Sequence, residues 1–287
     1  MKKILAIMLT ALLSVACCLG LTACGGEKLK VKDIELTEET YAFAIAKGNT
    51  ELKDSVNAIL IDMIDSGELT TLIDSFFTGD ATFEYVNPAA PTQANRDQYL
   101  VVGTNAYFPP FEMYNGAKLT GVDMQIASIL ATELDKTLYI NDMDFDGLIP
   151  AVQNGEVDIA MAGMTVNAER LEQVDFTEGY YTSAQVITVL ESDTTFDACE
   201  TASDVEEILA SMGANYKIGT QKGTTGYMYS AGDDGFGYDG FTNLTTKSYD
   251  TGALAMQDLS NGKVNAVILD KQPSLMIVNS INGKLSK

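Results

Sequence analysis

The sequence predicts a two-lobed α/β protein, and three observations predict it. From about residue 99 onward, short apolar runs alternate with helical patterns, the rhythm of strands covered by helices. The chain has 287 residues, enough for two lobes of roughly 100–150 residues each. Hydrophobic residues make up 46% and charged ones 20%, the balance of a chain that buries a core.

The start of the chain stands apart. Lys2 and Lys3 precede an almost wholly apolar run from Ile4 to Leu21, which ends Leu21-Thr22-Ala23-Cys24. A basic start, an apolar core and small residues before a cut describe a secretory signal. The run barely reaches the ~20 residues needed to span a bilayer, so a transmembrane anchor is the weaker reading. Removing residues 1–23 takes away two Lys and no acid, moving the net charge from −22 to −24.

Residues 29–36 alternate apolar and polar, which predicts a half-buried strand. Residues 41–46 read as a second, more buried strand. Leu52, Val56, Ile59, Leu60, Met63 and Ile64 then recur at helical spacing until Gly67 stops them. Leu69, Leu72, Ile73, Phe76 and Phe77 mark a shorter helix. Residues 78–98 show little periodicity and read as a linker, which would span about 25 Å if flexible. Further strands are expected at 99–103, 157–162, 185–190, 216–221 and 264–269. Val122, Ile126, Ile129, Leu130 and Leu134 line a helix, and Ser203 with Glu206 reads as a capping box. The Gly/Asp-rich run 231–243 reads as a long surface loop. Repeated strand–helix alternation implies mainly parallel sheets, where ligands bind at the carboxyl ends of strands. Segments just after strands are therefore where chemistry is sought.

Composition removes several classes. The acid excess argues against nucleic acid as a partner, since phosphate binding needs clustered Lys and Arg. There is no histidine, and three of the four cysteines (Cys17, Cys18, Cys24) fall in the first 24 residues, leaving Cys199 alone. Neither a disulfide framework, a zinc cluster nor a Ser–His or Cys–His hydrolase is available. No metal, no cofactor and no enzymatic turnover are expected.

Four segments after strands stand out. The first is Gly103-Thr-Asn-Ala-Tyr-Phe-Pro-Pro-Phe-Glu112. The second runs from Met143-Asp-Phe-Asp-Gly-Leu-Ile-Pro150 through Ala162-Gly-Met-Thr-Val-Asn-Ala-Glu-Arg170 to Val174-Asp-Phe-Thr-Glu-Gly-Tyr-Tyr181. The third is Gly219-Thr-Gln-Lys-Gly-Thr-Thr-Gly226, which lacks the spacing of a phosphate loop. The fourth is Ala266-Val-Ile-Leu-Asp270. In this order and spacing they resemble the polar amino-acid binding proteins of ABC importers, the extracellular solute-binding protein family 3, with glutamine- and histidine-binding members nearest. The resemblance covers almost the whole chain after the signal. It implies a two-lobed periplasmic-binding-protein-like fold of type II, with two crossings between lobes and a ligand in the cleft. By the same kind of resemblance, Cys24 sits in a bacterial lipoprotein box and is lipid-modified. The resemblance thus implies an extracellular, membrane-anchored monomer that passes a free amino acid to an ABC-transporter permease.

A free amino acid is a zwitterion, so a dry pocket must supply a cation, an anion and several hydrogen bonds. Arg170 can fork onto the α-carboxylate. Asp270 can pair with the α-ammonium, and it also reads as a helix N-cap before Lys271-Gln-Pro273. Thr165 can bridge both groups, and the Gly163 carbonyl can accept from the ammonium. Thr224 and Thr225 open a helix whose free N–H groups favour a carboxylate. The resemblance implies that Phe108 and Phe145 flank the ligand side chain, and that Asn105, Asn167 and Gln221 face it. Relatives with an acid where Asn105 stands would suit a cationic ligand; Asn105 tilts the reading toward glutamine or a similar neutral side chain. Glu112 and Asp146 are left out, because many relatives carry them whatever their ligand.

One segment is out of order. Residues 39–77 resemble the family's C-terminal end, yet here they come first, and the chain stops where relatives still have that segment to come. A circular permutation is expected, with 78–98 joining the old end to the old beginning. The expected partition is 1–23 signal, 24–28 tether, 38–77 with 99–186 as the first lobe, and 29–37 with 187–287 as the second. A truncated duplicate is the alternative. For function, the alternatives are a sensor domain or, on the same fold, an enzyme such as a dehydratase.

Overall fold

The computed structural model describes residues 26–285. The signal at 1–23 and Cys24 lie outside the described residues. In chain order the elements are β1 (Leu29–Val31), β2 (Glu39–Tyr41), β3 (Ala44–Ala46), α1 (Thr50–Ser66) and α2 (Glu68–Thr78). Then come β4 (Tyr99–Thr104), β5 (Tyr107–Phe108), β6 (Glu112–Asn115), β7 (Lys118–Thr120), α3 (Val122–Glu133) and β8 (Thr137–Asp142). Next are α4 (Leu148–Gln153), β9 (Ile159–Ala160), α5 (Ala168–Gln173), β10 (Val174–Phe176), β11 (Tyr181–Ser183) and β12 (Gln185–Leu190). The last are α6 (Ala202–Ser211), β13 (Lys217–Gln221), α7 (Thr225–Ala231), β14 (Thr245–Tyr249), α8 (Gly252–Ser260), β15 (Ala266–Asp270) and α9 (Lys271–Leu285). No described helix is long and apolar enough to cross a membrane.

Two five-stranded sheets make two lobes. The first runs β10-β3-β9-β4-β8 and the second β1-β12-β15-β13-β14. Both carry apolar residues on both faces, as strands covered by helices must. The sheets are mixed rather than mainly parallel. β4 runs parallel to β8 and β9, and β13 to β14 and β15, but β1, β3, β10 and β12 pair antiparallel. The antiparallel strands flank the crossings: β3 and β12 enter their sheets from a crossing, while β1 and β10 leave theirs toward one.

The crossings themselves are β2 and β11, paired antiparallel as Tyr181↔Tyr41, Thr182↔Thr40 and Ser183↔Glu39. This explains why the strand expected at 41–46 is two strands. Tyr41 pairs with the second crossing, while Ala44 pairs with Ala160 and Phe176 inside the first sheet. β12 enters the second sheet at Gln185, ahead of the boundary read at 186. The strand expected at 29–36 keeps ladder pairing only over β1, although Ile34 and Leu36 are buried and Leu36 N–H still reaches Gln185 O.

Residues 44–77 sit in the first lobe with 99–176. β3 lies between β9 and β10, and α1 and α2 pack on α3. Gly67, at φ 78°, ends α1 and starts α2, a left-handed turn that glycine adopts without steric cost. The joining segment is laid along the lobe rather than loose. Tyr85 exchanges backbone hydrogen bonds with Leu119, Asn87 clasps both backbone groups of Ile140, and Arg96 forks onto Asp158 at 2.8 Å. The capping box of α6 is Thr201 with Asp204, not Ser203 with Glu206. Thr201 is the last extended residue, so its hydroxyl, not that of Ser203, faces the free N–H groups.

Candidate functional site

A cavity opens between the lobes beside the β2–β11 crossing. Of the residues singled out from sequence, Asn105, Phe108, Phe145, Gly163, Thr165, Arg170, Gln221, Thr224, Thr225 and Asp270 line it, together with Glu112 and Ala162. Asn167 does not. It caps α5, its side chain accepting the Arg170 N–H at 2.8 Å, because an extended residue before a helix turns its amide oxygen onto the first turn.

Arg170 is 5% exposed. Its guanidinium donates to Thr165 O at 2.7 Å in its own lobe and to Gly223 O at 3.0 Å in the other. Two rings face it, Phe145 at 5.4 Å from the first lobe and Phe236 at 5.3 Å from the second. Burial lowers its pKa to about 10, which leaves it charged at neutral pH. Phe236 lies in the run 231–243, which is therefore more than a surface loop. The Asp233 carboxyl and the Asp233–Tyr238 backbone pairing fold it into a small turn that sets the ring over Arg170.

Asp270, at the end of β15, is 4% exposed and accepts from the Tyr41 hydroxyl across the lobes. Burial first, then the neighbouring Glu39, pushes its carboxyl up to about 7, against the favourable pull of Tyr41 and Gln185. Glu39 accepts from Gln185 Nε2 at 2.9 Å, from Thr37 Oγ1 at 2.6 Å and from Thr165 Oγ1. Arg170 and Asp270 thus bring one buried cation and one buried anion to the same cavity from opposite lobes.

The rest of the wall is polar and mostly satisfied. Asn105 donates to Met143 O and accepts from Gln221 Nε2, both at 2.9 Å, the second bond joining the lobes. Thr224 Oγ1 donates to Gln221 O, while Thr225 Oγ1 is buried without a partner at the start of α7. Gly163 has φ 54° and donates its N–H to Asp123. A Cβ there would meet the Phe108 ring at 2.7 Å, so glycine is required for ring and loop to meet. Glu112 is buried, and neither of its carboxyl oxygens reaches a partner at hydrogen-bond geometry. Asp123 is nevertheless close enough to interact with it. Desolvation, then that repulsion, raises Glu112 well above the carboxylate range. Among the described residues no group of acids and cysteines suits a metal ion.

Sequence reading missed Glu39, Tyr41 and Phe236. The period-two pattern of Glu39-Thr-Tyr was a usable signal that the two face one side; nothing local marked Phe236.

The chain has relatives in sequence and in fold. The chain is 40% identical over 88 residues to the arginine-binding extracellular protein ArtP of Bacillus subtilis, spanning 31% of this chain and 34% of that one. It is 29% identical over 182 residues to a probable histidine-binding protein of Campylobacter jejuni, covering 63% and 64%. The chain thus spans from a third to just under two thirds of these relatives' length. Among solved structures, an ancestral arginine-binding protein bound to arginine superposes with a TM-score of 0.55 at 33% identity, covering 66% of this chain and 76% of that one. The same description bound to glutamine gives 0.54 at 33% identity. The family model for bacterial extracellular solute-binding proteins, family 3, matches residues 100–270, from β4 of one lobe to Asp270 at the cleft end of the other. By that match, the chain is a member of the bacterial extracellular solute-binding proteins, family 3.

Proposed function

We propose that the protein captures a free polar α-amino acid by lobe closure at the outer face of the cell and delivers it to an ABC importer, without chemical turnover. The observation that carries this is the pairing of Arg170 and Asp270, buried opposite charges from opposite lobes on one cavity. A zwitterion fits such a pair, and binding it draws the lobes together. Arg170 takes the α-carboxylate, exchanging its backbone carbonyl partners for a charged one. Asp270 takes the α-ammonium. Phe108 and Phe145 hold the side chain, whose polar end meets Asn105 and Gln221. Cys24 carries the lipid.

A neutral side chain such as glutamine's is preferred. Asn105 stands where a permanent anion would be needed, and burial keeps a proton on Glu112. A cationic side chain is the second reading, favoured by the buried Glu112 carboxyl on the cavity wall, which a guanidinium could ionise and pair.

We also propose that the chain is circularly permuted. The position of β3 inside the first sheet supports it, as does the family match that begins only at residue 100. Calorimetric titration with the common L-amino acids tests the function. Binding of glutamine with little binding of arginine supports the neutral reading, and the reverse supports the cationic one. A folded protein that binds no amino acid overturns both.

A further inference from the structure

We propose that Glu39 and Tyr41 are positioning residues that preset the cleft for an α-ammonium, so that the hinge strand selects amino acids against their des-amino and hydroxy analogues. The inference rests on the reading of the cleft as an α-amino-acid site. Both residues lie outside the stretch matched by the family model. They face the same side of β2 and are buried, while Thr40 between them is exposed.

A hydroxyl carries one proton. Thr165 donates its proton to Glu39, so Thr165 Oγ1 can face the cavity only as an acceptor. It therefore cannot donate to a carboxylate, and its place is at the ammonium end. The Tyr41 hydroxyl donates to Asp270 Oδ1, which leaves the other carboxylate oxygen for the cavity. Burial and the adjoining acids raise Tyr41 well above a free phenol, so it keeps the proton it donates. The same bond favours the ionised form of Asp270. One strand thus presents Thr165 and Asp270 to the cavity as two acceptors. An ammonium donates three hydrogen bonds and accepts none, so it matches both. An α-hydroxyl can match only one, and a CH₂ group neither, leaving buried acceptors unpaired.

The test is calorimetry on the full-length protein with two probe pairs: L-glutamine with glutaramic acid, and L-arginine with δ-guanidinovaleric acid. In Tyr41→Phe, affinity for whichever amino acid binds is expected to fall about tenfold while its des-amino analogue is unaffected. The pH midpoint of binding is expected to rise, because Asp270 loses the bond that favours its charge. Glu39→Gln is expected to narrow the same ratio while lowering that midpoint, because the neighbouring anion that raises Asp270 is gone. Thermal unfolding without ligand confirms that each variant folds. An equal loss for amino acid and analogue with an unmoved midpoint, or no loss at all, overturns this proposal and leaves amino-acid capture standing. Failure of the unaltered protein to bind either amino acid overturns the reading beneath it, and this proposal with it.

Discussion

The two ends of the cleft answer burial differently. At the end proposed for the ligand's carboxylate, Arg170 is desolvated and its pKa falls, but only to about 10. At the end proposed for the ligand's ammonium, Asp270 is desolvated by similar burial and rises to about 7. A guanidinium starts so far above neutrality that the cost of burial never removes its charge. A carboxylate starts a few units below, and the same cost brings it to the edge of protonation. One end of the site therefore has a fixed charge and the other a conditional one.

The largest effect expected is at the fixed end. Arg170→Ala removes the buried cation of the cleft and leaves the ligand's carboxylate unpaired, which is expected to cost about 3–5 kcal/mol of binding in calorimetry. Arg170→Lys is expected to recover only part, since an ammonium cannot fork onto a carboxylate. Full recovery by Lys would break the comparison, by showing that charge alone acts there.

The conditional end predicts a pH dependence with opposite signs for binding and stability. Binding an ammonium needs the Asp270 carboxylate, so affinity is expected to be full above about pH 7 and to fall up to about tenfold per unit below it. Glu39, Tyr41, Arg170, Gln185 and Tyr238 face this group, and Arg170 holds its charge across that range. For the unliganded protein, Asp270 and Asp123 both sit near 7 when folded against an ordinary carboxylate value when unfolded. Between those values the folded state holds the extra protons. These groups therefore stabilise the fold at low pH, and that stability is lost as pH rises through about 7. Melting without ligand is expected to be higher near pH 5.5 than near pH 8, while affinity is lower. Melting and affinity moving together would show that Asp270 does not titrate in the cleft.

How legible each end was follows from how far its parts lie along the chain. Asn167 and Arg170 belong to one short segment after β9, so the Arg170 end could be read as a motif. Even there Asn167 carries two signatures, a ligand-facing position by resemblance and the helix cap that its side chain forms, three residues before Arg170. The ammonium end joins Tyr41 to Asp270 across 229 positions of sequence, and no local pattern reports such a contact. The fold was legible where periodicity was long, as in α1 and α3. It was less so at β2–β3, where a continuous apolar run hides the switch from crossing to sheet. The antiparallel strands were missed because alternation tells of strands and helices, not of the end from which a strand enters.

Phe236 adds a contact from the second lobe to the fixed end. Its ring, with that of Phe145, sandwiches the guanidinium once the lobes meet. Phe236→Ala removes a cation–π contact of about 0.5–2 kcal/mol, and is expected to weaken binding several-fold, mainly by faster release. Because the ring reaches Arg170 from the opposite lobe, stopped-flow association is expected to change little. A slower association instead would place the ring on the entry path rather than in the closed clamp.

The smallest effect is expected at the rim. Lys222 of the second lobe meets Asp146 of the first at 2.6 Å, an ion pair that also bridges the lobes. Unlike Arg170 it stands in water, with the Lys222 side chain 58% exposed. Solvent screens such a pair, and ordering two mobile side chains offsets much of the attraction that remains. Lys222→Ala is therefore expected to leave affinity unchanged within calorimetric error, at low and at high salt alike. A clear, salt-sensitive loss would mean that closure depends on the rim as well as on the buried charges, and the contrast between the two ends of the cleft would have to include its edge.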